Sequence, residues 1–497
     1  MTQSHANEMD FVLLPSKEVF VKPGKLFIEG RVRDDVRDDL DNEDIVEMKE
    51  LLEKHFSSGD FTFELLEDIL AHDRTADLRL GSHLEGVKEI LKSLKVVEYL
   101  GPNAEHTTHS STSARIEVQV YELYDDPRTF EEDSDIPQAE ITPMPHARFD
   151  GVWDELVFAA DIKGDLIWMM TNILRFSLRF SDNVGSDVNP LILLHGPPGT
   201  GKTSLCQGLA QKIAIRLRSQ YDNTMLIQIN TSTLLSKYYS ESAKQVDEIF
   251  TKIARMCQEE PHTFTCVLID EVESIASSRE FSTDGGESHD SLRATNALLT
   301  GLDKTKNYPN LIFLCTSNMF DTLDDAFLDR CGLKREVTAP SLGSQYEILR
   351  RRLQKLIDRR VIRAEVELPP YKDAKTCALL DLASVGARLL NIAEQINSSP
   401  HISGRSLTQL PERAVLQYLR EEECDLNMAL KFIERLVRPA QTSQEGKPEG
   451  NKVEGKGTEI EIRGKKRSFK LVFEEDLDIE LLENCIEAAR KKPSLES

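Results

Sequence analysis

The sequence predicts an α/β fold in which a parallel β-sheet carries helices on both faces, with a helical lid after it and a small α+β domain before it. Strand-length apolar runs recur after residue 149, at 191–194, 225–229, 266–269 and 311–315. Helical stretches separate these runs, so each strand can return parallel to its neighbour. After about residue 340 the strand patterns stop and helical patterns take over.

Five segments follow from composition and periodicity. Residues 1–124 alternate strand-like and helix-like patterns, and 125–146 form an acidic, proline-rich linker. Residues 147–340 form the large α/β domain, and 341–438 form the lid, with helical patterns at 345–359, 377–395, 406–421 and 426–437. Residues 439–497 are a low-complexity segment and a C-terminal extension, with a strand-like pair at 460–462 and 469–473 and a short helix at 479–489.

Composition and charge favour a protein as the partner. The 497 residues hold 61 basic and 85 acidic side chains, a net charge of −24, which repels nucleic acid and anionic lipid. The N-terminus is polar and acidic, and the most apolar helical stretch, 166–174, is half the length that a bilayer requires. The eight cysteines form no C-x-x-C pair and mostly lie in apolar runs, as expected of reduced thiols in cytosol or nucleus. We therefore expect no direct nucleic-acid or membrane partner.

A glycine-rich loop between a predicted strand and a predicted helix carries the main chemical signal. Its residues fit G-x-x-x-x-G-K-[ST] and are Gly196, Pro197, Pro198, Gly199, Thr200, Gly201, Lys202 and Thr203, with Ser204 opening the helix. Backbone N–H groups and the helix N-terminus of such a loop bind phosphate. Lys202 would bridge the β- and γ-phosphates of ATP, and the Thr203 hydroxyl would bind Mg²⁺. The alternative is a chance match on a glycine-rich turn.

An acidic pair ends the predicted strand at 266–269. Asp270 would hold Mg²⁺, and Glu271 would act as the general base for the attacking water. An acidic pair after a strand is often only a solvated turn. Its position about 70 residues after the phosphate loop instead favours the second magnesium-binding element of a P-loop ATPase.

Three polar residues complete the predicted catalytic set. Asn318 ends the next strand, where a neutral amide can orient the lytic water. Arg330 follows, and could reach the γ-phosphate of a neighbouring subunit as an arginine finger. Arg405 opens a lid helix and could report nucleotide state to the lid. The alternatives are an ordinary asparagine after a strand, a helix-end arginine that neutralises acidic neighbours, and a surface charge.

An aromatic pair lies in a predicted loop after the second core strand. Lys237, Tyr238 and Tyr239 would line the central pore of a ring motor and grip a polypeptide. A half-buried aromatic pair is the alternative, and the spacing from the phosphate loop favours the pore.

The order of these motifs resembles that of AAA+ ATPases. Their local sequences resemble those of the pachytene checkpoint protein 2 / thyroid-receptor-interacting protein 13 family. The matching runs are 149–157 FDGVWDELV, 195–206 HGPPGTGKTSLC, 235–242 LSKYYSES, 268–274 LIDEVES, 326–330 AFLDR and 403–405 SGR. The resemblance implies an ATPase that forms a homohexamer and has an N-terminal domain that binds an adaptor or substrate. It also implies that the protein opens closed HORMA-domain proteins, with or without a HORMA-domain adaptor. These substrates act on meiotic chromosome axes, in recombination control and in the spindle checkpoint. The expected location is the nucleus, on chromosomes, or the cytosol, or both.

The chain departs from related motors in two places. Where many AAA+ proteins carry two arginines in R-P-G-R, residues 329–335 read DRCGLKR, so Arg330 stands as the main finger. The pore pair is Tyr-Tyr instead of Trp-Phe. Two other functions stay open: a nucleotide-gated oligomeric scaffold with slow hydrolysis, and a DNA-directed AAA+ machine, which the net charge disfavours.

Overall fold

A computed structural model describes most of the chain. The described residues are 24–37, 40–71, 86–101, 106–125, 139–159, 161–179, 189–231, 242–277, 287–364, 367–381, 383–398, 402–420, 424–437, 460–464 and 467–471. The chain divides into two compact units, Met1–Arg438 and Pro439–Ser497.

The first unit begins with a small sheet packed against one long helix, which confirms the predicted N-terminal α+β region. Its elements are β1 (Gly24–Val32), α1 (Asn42–Ser58), β2 (Thr62–Glu64), α2 (Val87–Ile90), β3 (Leu91–Leu100), β4 (Thr108–Ser110) and β5 (Ala114–Tyr121). Strand β1 pairs antiparallel with β3 and parallel with β5. Helix α1 begins at a capping box in which Asp41 and Asp44 satisfy each other's backbone N–H, and it buries Ile45, Leu52 and Phe56 against the sheet.

A larger, mostly parallel sheet follows, as predicted. Its elements are β6 (Ala139–Met144), α3 (Val152–Glu155), α4 (Ile162–Arg179), β7 (Leu191–His195), α5 (Lys202–Leu217), β8 (Asn223–Asn230), α6 (Ser242–Glu259), β9 (Thr263–Asp270), α7 (Glu287–Thr305), β10 (Leu311–Ser317), α8 (Asp325–Arg330) and β11 (Leu333–Glu336). Within the described residues the strand order is β11-β7-β10-β9-β8-β6, parallel except for β6. Apolar clusters cover both faces, which explains the nearly continuous hydrophobic strands.

The predicted linker at 125–146 is wrong for its last part. Residues Ala139–Met144 form the edge strand β6, antiparallel to β8, while residues 126–138 lie outside the described part of the chain. Pro143 and Pro145 suggested a linker because proline cannot donate to a ladder. An edge strand tolerates proline because one of its two sides needs no partner.

The lid is helical, with one small exception. Its elements are α9 (Leu342–Asp358), β12 (Ile362–Arg363), α10 (Tyr371–Leu380), α11 (Val385–Asn397), α12 (Gly404–Tyr418), β13 (Cys424–Asp425) and α13 (Leu426–Val437). The short strands β12 and β13 pair in parallel, so strands do not stop at residue 340 as predicted. The helix predicted at 377–395 is two helices, because Asp381 takes an extended conformation and Ser384 caps a new start.

In the described part of the chain no single helix is long and apolar enough to cross a membrane; only α10 and α11, bent by 107°, pass that test as a pair by length and composition.

The second unit contains a strand pair, β14 (Ile460–Gly464) and β15 (Arg467–Leu471), which run antiparallel with Ile460 opposite Leu471. This confirms the strand pair predicted there. The helix predicted at 479–489 and the low-complexity segment lie outside the described residues. The boundaries of the five predicted segments otherwise stay predictions.

Most cysteines of the first unit are buried, as their apolar neighbours predicted. Cys206, Cys257, Cys266, Cys315, Cys331 and Cys424 are buried, and Cys377 is half-buried. Burial raises the pKa of the Cys257 thiol to about 11. Cys485 lies outside the described part of the chain.

Helix α5 links the N-terminal sheet to the large sheet through paired charges. Lys212 on α5 donates to Glu29 on β1 at 2.5 Å, and their side chains are only 9% and 6% exposed. One turn further, Arg216 pairs with Glu98 and lies 4.4 Å from the ring centroid of Phe27. The Lys212–Glu29 ion pair is thus shielded from solvent, so removing either partner leaves a buried unpaired charge and destabilises the fold.

We expect Lys212→Met to destabilise the protein by about 3–5 kcal/mol, because it leaves the buried Glu29 carboxylate unpaired. The midpoint of the first unfolding transition in urea measures this loss. The double variant Glu29→Gln, Lys212→Met should recover most of the stability because it also removes the buried charge. A single variant as stable as wild type would contradict this account of the contact.

Candidate functional site

The phosphate loop leaves β7 and turns directly into α5. Gly196 has φ of 140° and Gly201 has φ of 94°, conformations that favour glycine. A Cβ on Gly196 would also lie 2.4 Å from the Val337 carbonyl oxygen of the neighbouring chain segment. The glycine spacing of the motif therefore has a steric cause, and the loop leaves the helix N-terminus open toward the cavity.

Lys202 lies at the centre of the loop with its ammonium fully engaged. Nζ donates to the carbonyl oxygens of Gly196 and Pro197, both at 2.8 Å, and to Oδ1 of Asn318 at 2.7 Å. Burial lowers the pKa of Lys202, and nearby carboxylates oppose that shift. The three acceptors hold the ammonium where phosphate oxygens would compete for it.

A hydroxyl and a carboxylate meet at the predicted magnesium site. Thr203 Oγ1 donates to Oδ1 of Asp270 at 2.9 Å, and Thr316 Oγ1 donates to the same oxygen. Thr316 also accepts from the backbone N–H of Glu271 at 3.1 Å. Hard oxygen ligands of this kind suit Mg²⁺, so Thr203 and Asp270 fit the ion. Thr316 thus connects Asp270 and Glu271 to β10 through hydrogen bonds. The sequence reasoning did not single out this residue.

Glu271 is exposed at the carboxyl end of β9 and lines the cavity. Its φ of 52° places it in the left-handed region, which is uncommon for a residue with a side chain. Backbone strain of this kind clusters at functional sites, where the surroundings impose it. Here the hydrogen bond from Glu271 to Thr316 is one such constraint.

A cavity of about 930 Å³ opens between the large sheet and the lid. Glu271, Asn318 and Arg405 line this cavity. Most of the predicted nucleotide-binding residues line it as well, namely Pro198, Gly199, Thr200, Gly201, Lys202, Thr203, Ser204 and Asp270. Gly196 and Pro197 instead contribute the carbonyl oxygens that hold Lys202.

The lid touches the phosphate loop directly through the start of α12. The backbone N–H of Arg405 donates to the Gly199 carbonyl oxygen at 3.0 Å. Gly199 has φ of 75°, and a Cβ there would lie 2.8 Å from the Cβ of Ser403. The backbone of Arg405 is therefore held against the phosphate loop, and the residue lines the cavity.

A cluster of charges that sequence reasoning missed closes one side of the cavity. Glu155, at the end of α3, pairs with Arg352 at 3.1 Å and with Lys355, both on α9 of the lid. Arg351 donates to the Asp154 carbonyl oxygen. Lid and large domain are thus bridged by ion pairs between residues almost 200 positions apart, which no local motif could signal.

Comparisons with known proteins agree with this geometry. Residues 192–339 match the family described as "ATPase family associated with various cellular activities (AAA)". A pachytene checkpoint protein 2 homolog of Danio rerio is 33% identical over 384 residues, which cover 73% of this chain and 89% of that protein. The chain belongs to the pachytene checkpoint protein 2 family.

A further family member and a solved structure support the assignment. The homolog of Oryza sativa subsp. indica is 43% identical over 242 residues, which cover 48% of this chain and 51% of that protein. The structure of C. elegans PCH-2 is similar with a TM-score of 0.60 and 27% identity, covering 83% of this chain and 100% of that chain. The AAA fold with its helical C-terminal region and N-terminal α+β segment is therefore shared.

In this pachytene checkpoint protein 2 family member, Lys334 and Arg335 also line the cavity from β11. Arg335 pairs with Asp165 on α4 at 2.5 Å. Both residues therefore line the cavity, and the Arg335 charge is paired with Asp165.

Arg330 lies away from that cavity, on α8. Its guanidinium forms a bidentate pair with Asp303, with Nε and Nη2 at 3.0 and 2.8 Å from the two carboxylate oxygens. Nη1 donates to the Ala326 carbonyl oxygen, and Asn189 holds the Arg330 carbonyl oxygen. The side chain is 27% exposed. The arginine is therefore fixed at the surface and does not line the cavity.

The predicted pore residues Lys237, Tyr238 and Tyr239 lie outside the described part of this family member. Their role stays a prediction. The residues the structure brings together are those of the phosphate loop, the acidic pair, Asn318 and Arg405.

Proposed function

We propose that this protein is an ATP-dependent remodeller that opens closed HORMA-domain proteins and so disassembles their complexes. The places of action would be the meiotic chromosome axis, recombination control and the spindle checkpoint, in the nucleus, the cytosol or both. Membership of the pachytene checkpoint protein 2 family supports this substrate class. The observation that carries the motor itself is the convergence of Lys202, Asp270 and Asn318 beneath the lid.

In the hydrolytic half of the proposal, each residue has one task. Lys202 would exchange its contacts with two carbonyl oxygens for phosphate oxygens, which are charged and hence stronger acceptors. Glu271 accepts a proton from the attacking water, which Asn318 orients. Thr203 and Asp270 would hold Mg²⁺, which shields the phosphate charge when bound. Arg405 meets the phosphates from the lid side and would couple lid position to nucleotide state.

In the mechanical half, a homohexamer would place Lys237, Tyr238 and Tyr239 around a central pore, where they pull on the substrate. Arg330 would reach into the neighbouring subunit's site, which suits its surface position and its distance from its own cavity. The N-terminal domain would bind substrate or a HORMA-domain adaptor. The net charge of −24 supports a protein substrate over nucleic acid.

The deciding experiment is ATP-dependent release of a fluorescent peptide bound to a closed HORMA-domain protein, with and without an adaptor. We expect Glu271→Gln to abolish release, and Tyr238→Ala to abolish release while ATP hydrolysis continues. Tyr238→Phe is the matched control, because it keeps the aromatic ring and should keep activity. ATP hydrolysis without release by the wild type would reject remodelling and favour the scaffold function.

A further inference from the structure

Glu273 links the ends of two neighbouring strands beside the site. It lies in the 3₁₀ turn Val272–Ser274, directly after Glu271, where the chain leaves β9. Its Oε1 accepts a hydrogen bond from the backbone N–H of Asn318 at 3.0 Å, just past the end of β10. The Glu273 carboxylate, at the end of β9, thereby fixes the backbone of Asn318, which follows β10.

The second oxygen of this carboxylate is not used by the fold. Oε2 of Glu273 is buried and has no hydrogen-bond partner among the described residues. Buried polar atoms are nearly always paired, and an unpaired one is destabilising. The two strands do not need Glu273 for their alignment, because parallel ladder pairs such as Cys315 with Ile269 already join them. A half-satisfied carboxylate at this position is therefore poorly explained by stability.

The contact with Asn318 continues to the phosphate-binding lysine. Asn318 Oδ1 accepts from Lys202 Nζ at 2.7 Å, so a chain of hydrogen bonds runs from Glu273 through Asn318 to Lys202. Glu273 therefore acts on both groups that would meet the γ-phosphate, without lining the cavity itself.

We propose that Glu273 is a positioning residue for ATP hydrolysis, which fixes the backbone of Asn318 so that its side-chain amide meets the lytic water and the γ-phosphate. This inference rests on the proposed ATPase activity. Glu273 makes and breaks no covalent bond: the water oxygen attacks phosphorus, ADP leaves with the bridging oxygen, and Glu271 takes the water's proton. The contact between the Glu273 carboxylate and the Asn318 backbone N–H does not depend on the contact between Lys202 and Asn318 Oδ1, because the two contacts use different atoms of Asn318.

Glu273→Ala tests the role by separating kcat from KM. We expect kcat for ATP hydrolysis to fall by about 10–100-fold, because small misplacements of a positioned group are costly. We expect KM for ATP and affinity for a fluorescent ATP analogue to stay within about threefold, because the phosphate loop is intact. Glu273→Gln should restore kcat to within about threefold of wild type, because its amide oxygen still accepts from the Asn318 N–H.

Two comparisons separate positioning from stability. Thr295→Val is the matched structural control, because Thr295 Oγ1 donates to the Ile275 carbonyl oxygen at 2.8 Å, at the end of the same turn. It should lower the thermal midpoint yet keep kcat near that of wild type. The double variant Glu273→Ala, Asn318→Ala should hydrolyse no more slowly than Asn318→Ala alone, because Glu273 acts through Asn318.

The outcomes are distinct. Any of four results would overturn the inference and leave the proposed ATPase activity intact. These are a wild-type kcat in Glu273→Ala, an equal fall of kcat in Thr295→Val, no recovery of kcat in Glu273→Gln, and additive losses of kcat in the double variant. A wild-type protein that hydrolyses no ATP would instead refute the proposed activity, and this inference with it.

Discussion

Glu271→Gln is expected to lower kcat for ATP hydrolysis by about 10²–10⁴-fold while ATP still binds. The substitution removes the proton acceptor and almost nothing else, because glutamine has the same shape. One constraint on this position is the hydrogen bond from the Glu271 backbone N–H to Thr316 Oγ1, which the variant keeps. Steady-state phosphate release measures kcat, and titration with a fluorescent ATP analogue measures affinity.

Glu336→Gln is the matched control for that experiment. Glu336 also lines the cavity and loses the same charge on substitution, but it lies on β11, away from the acidic pair. Its kcat should stay within about threefold of wild type. A Glu271→Gln protein that retains most of its activity, or a Glu336→Gln protein that loses as much, would show that Glu271 is not the general base.

Arg330→Ala is expected to have the larger effect, about a 10³–10⁵-fold loss of kcat, if the arginine acts as a finger. Asp303 and the Ala326 carbonyl oxygen hold the guanidinium at the surface, away from the cavity. Arg330→Lys should not rescue, because an ammonium cannot keep the bidentate contact with Asp303. Affinity for ATP should change little, because Arg330 does not line its own cavity.

Mixing two inactive variants tests whether Arg330 works between subunits. A ring of Arg330→Ala and Glu271→Gln subunits rebuilds complete sites wherever an intact Glu271 faces an intact Arg330. We therefore expect the mixture to regain part of the activity that each variant lacks. A mixture that regains no ATP hydrolysis would contradict action between subunits. An Arg330→Ala protein that keeps nearly all of its activity would support the simpler role, in which Arg330 neutralises its acidic neighbours.

The chemistry at the sheet edge was predictable, because strand order and motif spacing determine it. Lys202, Asp270 and Asn318 each follow an apolar strand run, and the carboxyl ends of parallel strands meet at one edge. Their convergence thus follows from three local patterns and one topological rule. The strand β6 was not predictable in the same way, because its prolines and acidic surroundings resemble a linker and its pairing with β8 is non-local.

The contacts that close the cavity could not be read from the sequence. Glu155 meets Arg352 and Lys355 only because the lid folds back over the large domain. In sequence these residues look like ordinary solvated charges on short amphipathic helices. Glu273 was hidden for a different reason: it was read as part of a family motif, and only its hydrogen bond to Asn318 gives it a task.

Helix α5 has one further consequence, because its two ends belong to different parts of the molecule. Lys202 and Thr203 begin it at the phosphate loop, and Lys212 and Arg216 pair with the N-terminal sheet near its other end. Sixteen residues make a rod about 24 Å long. If the phosphate end tilts by about 10°, the far end of such a rod moves by about 4 Å. A movement of the phosphate loop that tilted this helix would therefore reach the N-terminal sheet through Lys212 and Arg216, without passing through the lid.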